Sequence, residues 1–323
     1  MATPEDILKN IEKIYQQKYG VAVFNIEIKN VKSGIEIKGS ILTENQRDYI
    51  TGVLKKNKIK IKKENLKILS DADARNEIGW AVVKNKRTNL KLRFISSKII
   101  NNKILKRIRC SQAFRGDVLR VLFKKENQLL VQQNDLTLGW VNRKNVILKR
   151  NSLYRKWASG NFALKGRVIF AKRFHSPNGT MEPTNLIIAE AKKFLGARYV
   201  LGGGFKGGID CSGLTQVAYK NSLNIILPRH SWDQKKVGKK VNLKNVKSGD
   251  LIFLIKKSNQ HKHVGIVEVF EITPPSPPLS GGKKKDRSVN LIHASLDKKK
   301  VVRQSLEEVF EKYDFAEARM IVG

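Results

Sequence analysis

The chain has 323 residues, too many for one ordinary core, so two or three domains are expected. With 41% hydrophobic residues and only 8 prolines it reads as globular, which excludes a disordered or collagen-like chain. Lys+Arg 64 against Asp+Glu 28 gives a net charge of +36, a surplus that attracts nucleic acid, anionic membrane or an anionic wall polymer.

Charge does not choose among those partners. No zinc-finger, RNP or basic-zipper signature singles out nucleic acid, and no specific nucleic-acid partner is expected. The two cysteines, Cys110 and Cys211, exclude a disulfide framework and a C-x-x-C zinc site. The N-terminus, Met-Ala-Thr-Pro-Glu-Asp-Ile-Leu-Lys, has no basic segment followed by an apolar run, and no stretch approaches 18 uninterrupted apolar residues. A cytoplasmic monomer without a transmembrane segment is expected, or a cell-envelope or secreted protein if a non-classical route exports it.

Thr3-Pro4-Glu5-Asp6 is a helix start, and Ile7, Leu8, Ile11, Ile14 and Tyr15 continue at helical spacing to about Tyr19. Alternation over Val21–Ile28 and Gly34–Ile41 predicts two strands joined as a hairpin near Lys32 to Gly34. Thr43 with Gln46 forms a capping box for a helix to about Lys55, and Ile59 and Ile61 suggest a further strand. This α+β unit, residues 1–68, resembles a BON-type domain, a module associated with envelope binding.

Short strands follow over residues 70–149: Ile78–Val83, Leu90–Phe94, Val118–Phe123, Gln128–Val131 and Leu138–Val141. Gly116-Asp117-Val118-Leu119-Arg120-Val121-Leu122, then Leu129-Leu130-Val131, then Gly139-Trp140-Val141, resembles a bacterial SH3-type barrel closed by the Gly-Trp-Val strand. Trp140 is expected to pack in that core. Residues 150–183 read as a connector or a second partial barrel, with His175 as a loop histidine.

The region 184–323 carries the clearest chemistry. Thr184 caps a predicted helix whose apolar face is Ile187, Ile188, Ala191, Phe194 and Leu195, ending at Gly196. A glycine-rich loop leads to Cys211, where a second helix begins and runs to about Ser222. A cysteine at a helix N-terminus meets unpaired N–H groups and the positive end of the helix dipole, both of which favour the nucleophilic thiolate. Strands are predicted at Leu251–Ile255, His263–Val269 and Val289–Ala294, then a helix opened by Ser305 with Glu308 and a closing strand at Ala318–Val322. The Pro-, Ser-, Gly- and Lys-rich run Thr273–Arg287 reads as a surface excursion.

Cysteine catalysis needs a base beside the sulfur and a group to orient that base. His261 and His263 share a strand face, so spacing leaves both open as the base, and His293 lies on a neighbouring strand beside either. The same residue types could ligate zinc, an alternative to the Cys-His-His triad.

The run Tyr199…Gly202-Gly203…Gly208-Ile209-Asp210-Cys211-Ser212-Gly213-Leu214, followed by Leu227-Pro228-Arg229, Ser231, Gln234, Ser248-Gly249-Asp250-Leu251-Ile252-Phe253, His263-Val264-Gly265-Ile266-Val267 and Ile292-His293-Ala294, resembles the NlpC-type cysteine peptidases. The resemblance covers residues 184–323. It implies a papain-like α+β fold, helices packed on an antiparallel sheet, that cuts peptidoglycan stem peptides between γ-D-glutamate and diaminopimelate or lysine, without metal or other cofactor. It implies Cys211 as nucleophile, His263 as general base, His293 as the orienting residue and Tyr199 near the oxyanion. His261 then falls on the rim. Asp210, Ser212 and Ser231 are implied substrate contacts. His230, standing where relatives often carry a small polar residue, joins them as a departure from the pattern. Amide transfer on the same fold, and a non-catalytic wall-binding protein that uses the basic N-terminal domains, are the competing readings.

Overall fold

The computed structural model describes residues 3–19, 24–41, 44–68, 79–92, 109–135, 137–149, 151–159, 161–163, 167–169, 174–176, 179–272 and 286–323. The chain divides into two compact units, residues 1–134 with 138–158, and residues 135–137 with 159–323.

In the first unit, α1 (Pro4–Tyr19) starts at Thr3, whose Oγ1 accepts from the Asp6 N–H at 3.2 Å while its hydroxyl donates to Asp6 Oδ2 at 2.7 Å. This reciprocal cap satisfies donors that the first helical turn leaves open. β1 (Phe24–Val31) and β2 (Gly34–Ile41) form the expected hairpin, with Val31 opposite Gly34. α2 (Glu44–Lys56) leads to β3 (Ile61–Ile68), which pairs parallel to β2. Ile7, Leu8 and Ile11 from α1 and Ile50 and Leu54 from α2 bury against Ile35, Ile37 and Ile41 of the sheet. The proposed Thr43 cap and the start of the first strand at Val21 lie outside the described residues.

A seven-stranded antiparallel sheet follows: β4 (Gly79–Val83), β5 (Arg87–Lys91), β6 (Arg109–Phe114), β7 (Val118–Lys125), β8 (Gln128–Gln132), β9 (Leu138–Asn142) and β10 (Val146–Lys149), in the order β10-β4-β7-β8-β9-β5-β6. The five predicted strands correspond to β4, β5, β7, β8 and β9; β5 begins earlier, at Arg87, and Ile78, Arg93 and Phe94 lie outside the described residues. Trp140 is half-buried rather than enclosed and meets Phe123 edge-on at 6.3 Å. The enclosed indole is Trp80, which packs edge-on against Trp157 at 6.0 Å from the short helix α3 (Tyr154–Trp157).

The second unit begins within the predicted connector. β11 (Asn161–Phe162) pairs parallel with β16 (Ile225–Ile226), and β12 (Phe174–Ser176) pairs with β13 (Gly179–Met181). α4 (Pro183–Lys192) begins one residue before the expected Thr184 cap: Glu182 stands at the cap position without a side-chain cap bond, and Pro183 takes the first helical position, where its missing N–H costs nothing. After β14 (Gly204–Phe205) and β15 (Gly208–Ile209) comes α5 (Cys211–Leu223), closed by Asn224 in the left-handed conformation at φ 53°. The short helix α6 (Ser231–Gln234) precedes a six-stranded antiparallel sheet. Its strands are β17 (Lys239–Val241), β18 (Leu251–Lys256), β19 (Lys262–Ile272), β20 (Asp286–Ser295), β21 (Lys300–Ser305) and β22 (Tyr313–Met320), in the order β17-β22-β18-β19-β20-β21. α7 (Leu306–Lys312) lies between the last two and starts as expected, with Ser305 Oγ accepting from the Glu308 N–H at 3.2 Å. Most of the excursion between β19 and β20 lies outside the described residues.

The core of this unit places the site. Leu214, Ala218 and Tyr219 on α5 pack against Ile187, Ile188 and Ala191 of α4 on one side and Val264, Ile266, Ile292 and Ala294 of the sheet on the other. The first turn of α5 is thereby brought to the sheet where β19 starts. Among the described residues no helix is long and apolar enough to cross a membrane.

Candidate active site

Cys211 is the first residue of α5 and is 6% exposed. Asp210 caps the helix, its Oδ1 accepting from the Gly213 N–H at 2.7 Å and its Oδ2 from the Gly202 N–H at 2.7 Å. Arg229 closes on the same carboxylate from the other side, Nη1 to Oδ1 at 3.0 Å and Nη2 to Oδ2 at 2.7 Å. The guanidinium also donates to Ser212 Oγ at 2.9 Å and to the Gly203 carbonyl at 3.3 Å. Asp210 and Arg229 are both 4% exposed, so this is a buried bidentate pair that ties the glycine loop to the helix start.

Two glycines let the loop come this close. A Cβ on Gly213 would stand 2.3 Å from the Gly203 carbonyl oxygen, and one on Gly203 would stand 2.3 Å from that of Gly208. Gln234 completes the clamp: its Nε2 donates to the carbonyls of Ser212 and Pro228 at 3.1 and 2.8 Å, and its Oε1 accepts from Thr215 Oγ1 at 2.8 Å.

The sheet supplies the imidazoles. His263, near the start of β19, is 0% exposed, and His293 on β20 is 1% exposed. Nε2 of His263 lies 2.7 Å from Nδ1 of His293, with the rings edge-to-face at 4.9 Å. Nε2 of His293 lies 3.1 Å from Gln304 Oε1, and Gln304 Nε2 donates to Glu308 Oε2 at 3.2 Å. Nδ1 of His263 is buried without a hydrogen-bond partner among the described residues. The Tyr313 ring covers His263 at 5.1 Å and 30°, and its hydroxyl donates to Asp297 Oδ2 at 3.4 Å, a carboxylate that also pairs with Lys256.

The cysteine meets this group near the start of β19, an interior strand of the sheet. Backbone hydrogen bonds from Val264, the residue after His263, and from Ser212 reach the Cys211 sulfur and lower the pKa of its thiol. Burial and the Asp210 carboxylate outweigh them and push the thiol up to about 12. Here the structure departs from the expectation of a stabilised thiolate. The helix-end donors are present, but desolvation of the sulfur is the larger effect. Burial likewise holds His263 well below the usual histidine value and takes His293 down to about 4. Burial thus favours the uncharged form of the thiol and of both imidazoles.

Tyr199 is half-buried, bridges to Ile209 and packs against the core under α5. Burial raises its phenol, and the charges of Cys211 and Asp210 add to that, so it shares their surroundings. Ser231 is half-buried at the start of α6, and His230 caps that helix with its side chain exposed and making no cap hydrogen bond. His261 is half-buried just before β19, and its Nε2 is also unpartnered among the described residues.

Cys211, His263 and His293 are thus brought to one place, with Tyr199, Asp210 and Ser212 around the helix start. The sequence reading had assigned no role to Arg229, Gln304, Asp297 or Tyr313. Arg229 stood inside the quoted Leu-Pro-Arg run. Gln304 and Tyr313 are reached only through strand register, and Asp297 lies in the turn between β20 and β21. Among the described residues no group of three or more His, Cys, Asp or Glu side chains is arranged to hold a metal ion.

A cysteine on the first turn of a helix, set against an antiparallel sheet that carries two linked histidines, characterises this α+β domain. Residues 196–320 match the model of the NlpC/P60 family. Over 71 residues the chain is 42% identical to the "Murein DD-endopeptidase MepS/Murein LD-carboxypeptidase" of Escherichia coli, covering 22% of this chain and 37% of that protein. It is 38% identical over 106 residues to the "Gamma-DL-glutamyl hydrolase" of Bacillus subtilis, covering 31% of this chain and 24% of that protein. The "Probable endopeptidase NlpC" of Escherichia coli is 29% identical over 150 residues, 45% of this chain and 85% of that protein. The chain thus spans well under half the length of the first two relatives.

Proposed function

We propose that the C-terminal domain is a cysteine peptidase that hydrolyses peptidoglycan stem peptides at the bond between γ-D-glutamate and diaminopimelate or lysine. The observation that carries this reading is the buried Nδ1 of His263, without a partner among the described residues, on a ring whose other nitrogen is held by His293, near the cysteine at the head of α5. The names of the murein endopeptidase and of the γ-glutamyl hydrolase, similar to this chain over 71 and 106 residues, support the substrate class.

In this mechanism His263 Nδ1 takes the thiol proton as the sulfur attacks the γ-carbonyl carbon, because burial favours the uncharged form of both groups. The C–S bond forms and the carbonyl π electrons move to oxygen. The Cys211 N–H, which has no intrahelical acceptor in the first turn, and the Tyr199 hydroxyl donate to that oxyanion. Collapse breaks the C–N bond, and the imidazolium returns its proton to the leaving amine. Water deprotonated by Nδ1 then cleaves the thioester and restores the thiol. His293 holds the ring throughout. Ser212, Ser231 and His230 line the approach, whereas Asp210, whose oxygens are engaged by its own chain, acts by holding the loop.

Upstream, the seven-stranded sheet supports reading residues 70–149 as an SH3-type barrel, and the α1-to-β3 unit supports the BON-like reading of 1–68. Both are proposed as wall-facing modules, consistent with the +36 charge.

The test is to incubate the protein and its Cys211→Ala variant with L-Ala-γ-D-Glu-diaminopimelate and with crosslinked sacculi, and to identify products by mass spectrometry. Release of the diamino acid by the wild type alone supports the proposal. Binding of sacculi with no product from either substrate overturns it in favour of the wall-binding protein.

A further inference from the structure

The chain His263, His293, Gln304, Glu308 contains one group whose hydrogen-bonding direction is fixed. Gln304 Nε2 faces the Glu308 carboxylate, which only accepts, so the amide oxygen is the atom turned to His293. That orientation is built in locally. Ser305, the next residue, caps α7 and takes the Glu308 N–H, which sets Glu308 at the third position of the helix, back toward Gln304. The register of β20 with β21 pairs His293 with Val302 and Leu291 with Gln304, which puts Gln304 diagonally beside His293.

An oxygen acceptor on His293 Nε2 requires a proton there. A neutral His293 then has a bare Nδ1, which must accept, so the proton between the two rings belongs to His263 Nε2. His263 is left with a bare Nδ1, the buried atom that has no partner among the described residues. The opposite assignment would put the proton on His263 Nδ1 and remove the base.

We propose that Gln304 is a positioning residue that fixes the tautomers of both histidines, its amide held by Glu308, so that His263 presents a lone pair rather than a proton to the sulfur. This rests on the peptidase reading for its consequence in turnover. The tautomers themselves do not depend on it.

The experiment is 15N NMR of the histidine-labelled full-length protein at pH 7, in which protonated and bare ring nitrogens resonate apart, combined with stem-peptide kinetics. Both His263 and His293 are expected as Nε2–H. Gln304→Leu should leave His293 with mixed tautomers. It should lower kcat about three- to tenfold with KM unchanged, the ratio that one hydrogen bond sets between two forms. Gln304→Glu combined with Glu308→Gln keeps an oxygen on His293 and an amide–carboxylate pair, and should restore both the spectrum and kcat. A wild-type His293 protonated on Nδ1 overturns the inference, as does a folded Gln304→Leu protein whose tautomers or kcat are unchanged. A wild type with no turnover would count against the peptidase reading, while the spectrum would still decide the tautomers.

Discussion

Arg229→Met is the substitution whose cost the structure defines most closely. It deletes two contacts to the Asp210 carboxylate, at 3.0 and 2.7 Å, and one each to Ser212 Oγ and the Gly203 carbonyl. The Asp210 carboxylate, 4% exposed, would keep only the N–H groups of Gly202 and Gly213 and the long 3.4 Å contact from Ser212 Oγ. Removing one partner of a buried pair costs about 3–5 kcal/mol, because the remaining charge stays desolvated. For a unit of this size about 2–4 °C per kcal/mol is expected, so the midpoint should fall by about 6–20 °C. Thermal and urea unfolding followed by circular dichroism read this directly. Adding Asp210→Asn removes the stranded charge and should recover about 1 kcal/mol or more, a coupling that contact residues display and distant ones do not. A loss under about 1 kcal/mol for Arg229→Met alone would refute the idea that this pair holds the loop to the helix.

Gly213→Ala places a Cβ 2.3 Å from the Gly203 carbonyl, so the loop must move; stem-peptide turnover is expected to be lost with a lowered unfolding midpoint, and normal turnover would contradict the packing. The buried histidines make the domain acid-sensitive. His263 and His293 have folded-state pKa values below the unfolded value of about 6.5, so the unfolded chain binds more protons once pH drops below it. Their contribution is complete above pH ~6.5 and is lost as pH falls toward about 4, which urea titrations at pH 7, 5.5 and 4.5 should show as a steady decline; a flat profile would argue against the depressed values. With the thiol near 12, alkylation of Cys211 by iodoacetamide in the free protein should be slow at pH 7 and rise through pH 9. Rapid, pH-independent alkylation from pH 5 upward would instead reveal a resting thiolate–imidazolium pair.

Much of this arrangement was legible because it is local. The Thr3 cap, the β1–β2 hairpin, the Ser305 cap and the alternation in β18 and β19 all arise from residues close in sequence. Cys211, His263 and His293 were legible as chemistry, since each stands at the start of an element or on a face set by a period of two. What escaped depends on distance and burial. β6 was missed because Ser111 and Gln112 are buried in a ladder, with Gln112 Nε2 on Asn89 Oδ1 at 2.9 Å, so no alternation shows. β22 starts at Tyr313, several residues before its apolar run, because a register shift opposite Phe253 and Leu254 lets Asp314 and Phe315 pair with β18. Gln304 and Tyr313 reach the histidines through register across the sheet, and Arg229 reaches Asp210 across 19 residues. The desolvation that raises the Cys211 thiol is hidden in sequence for the same reason. A helix start is visible in sequence, but the enclosure of its sulfur is not.

The most direct test of the central claim is to trap the acyl-enzyme. Acid quenching during turnover of L-Ala-γ-D-Glu-diaminopimelate, followed by peptide mapping, should find the L-Ala-γ-D-glutamyl group as a thioester on Cys211, absent from Cys211→Ala. Turnover that persists in Cys211→Ala, or an adduct on any other side chain, would contradict it.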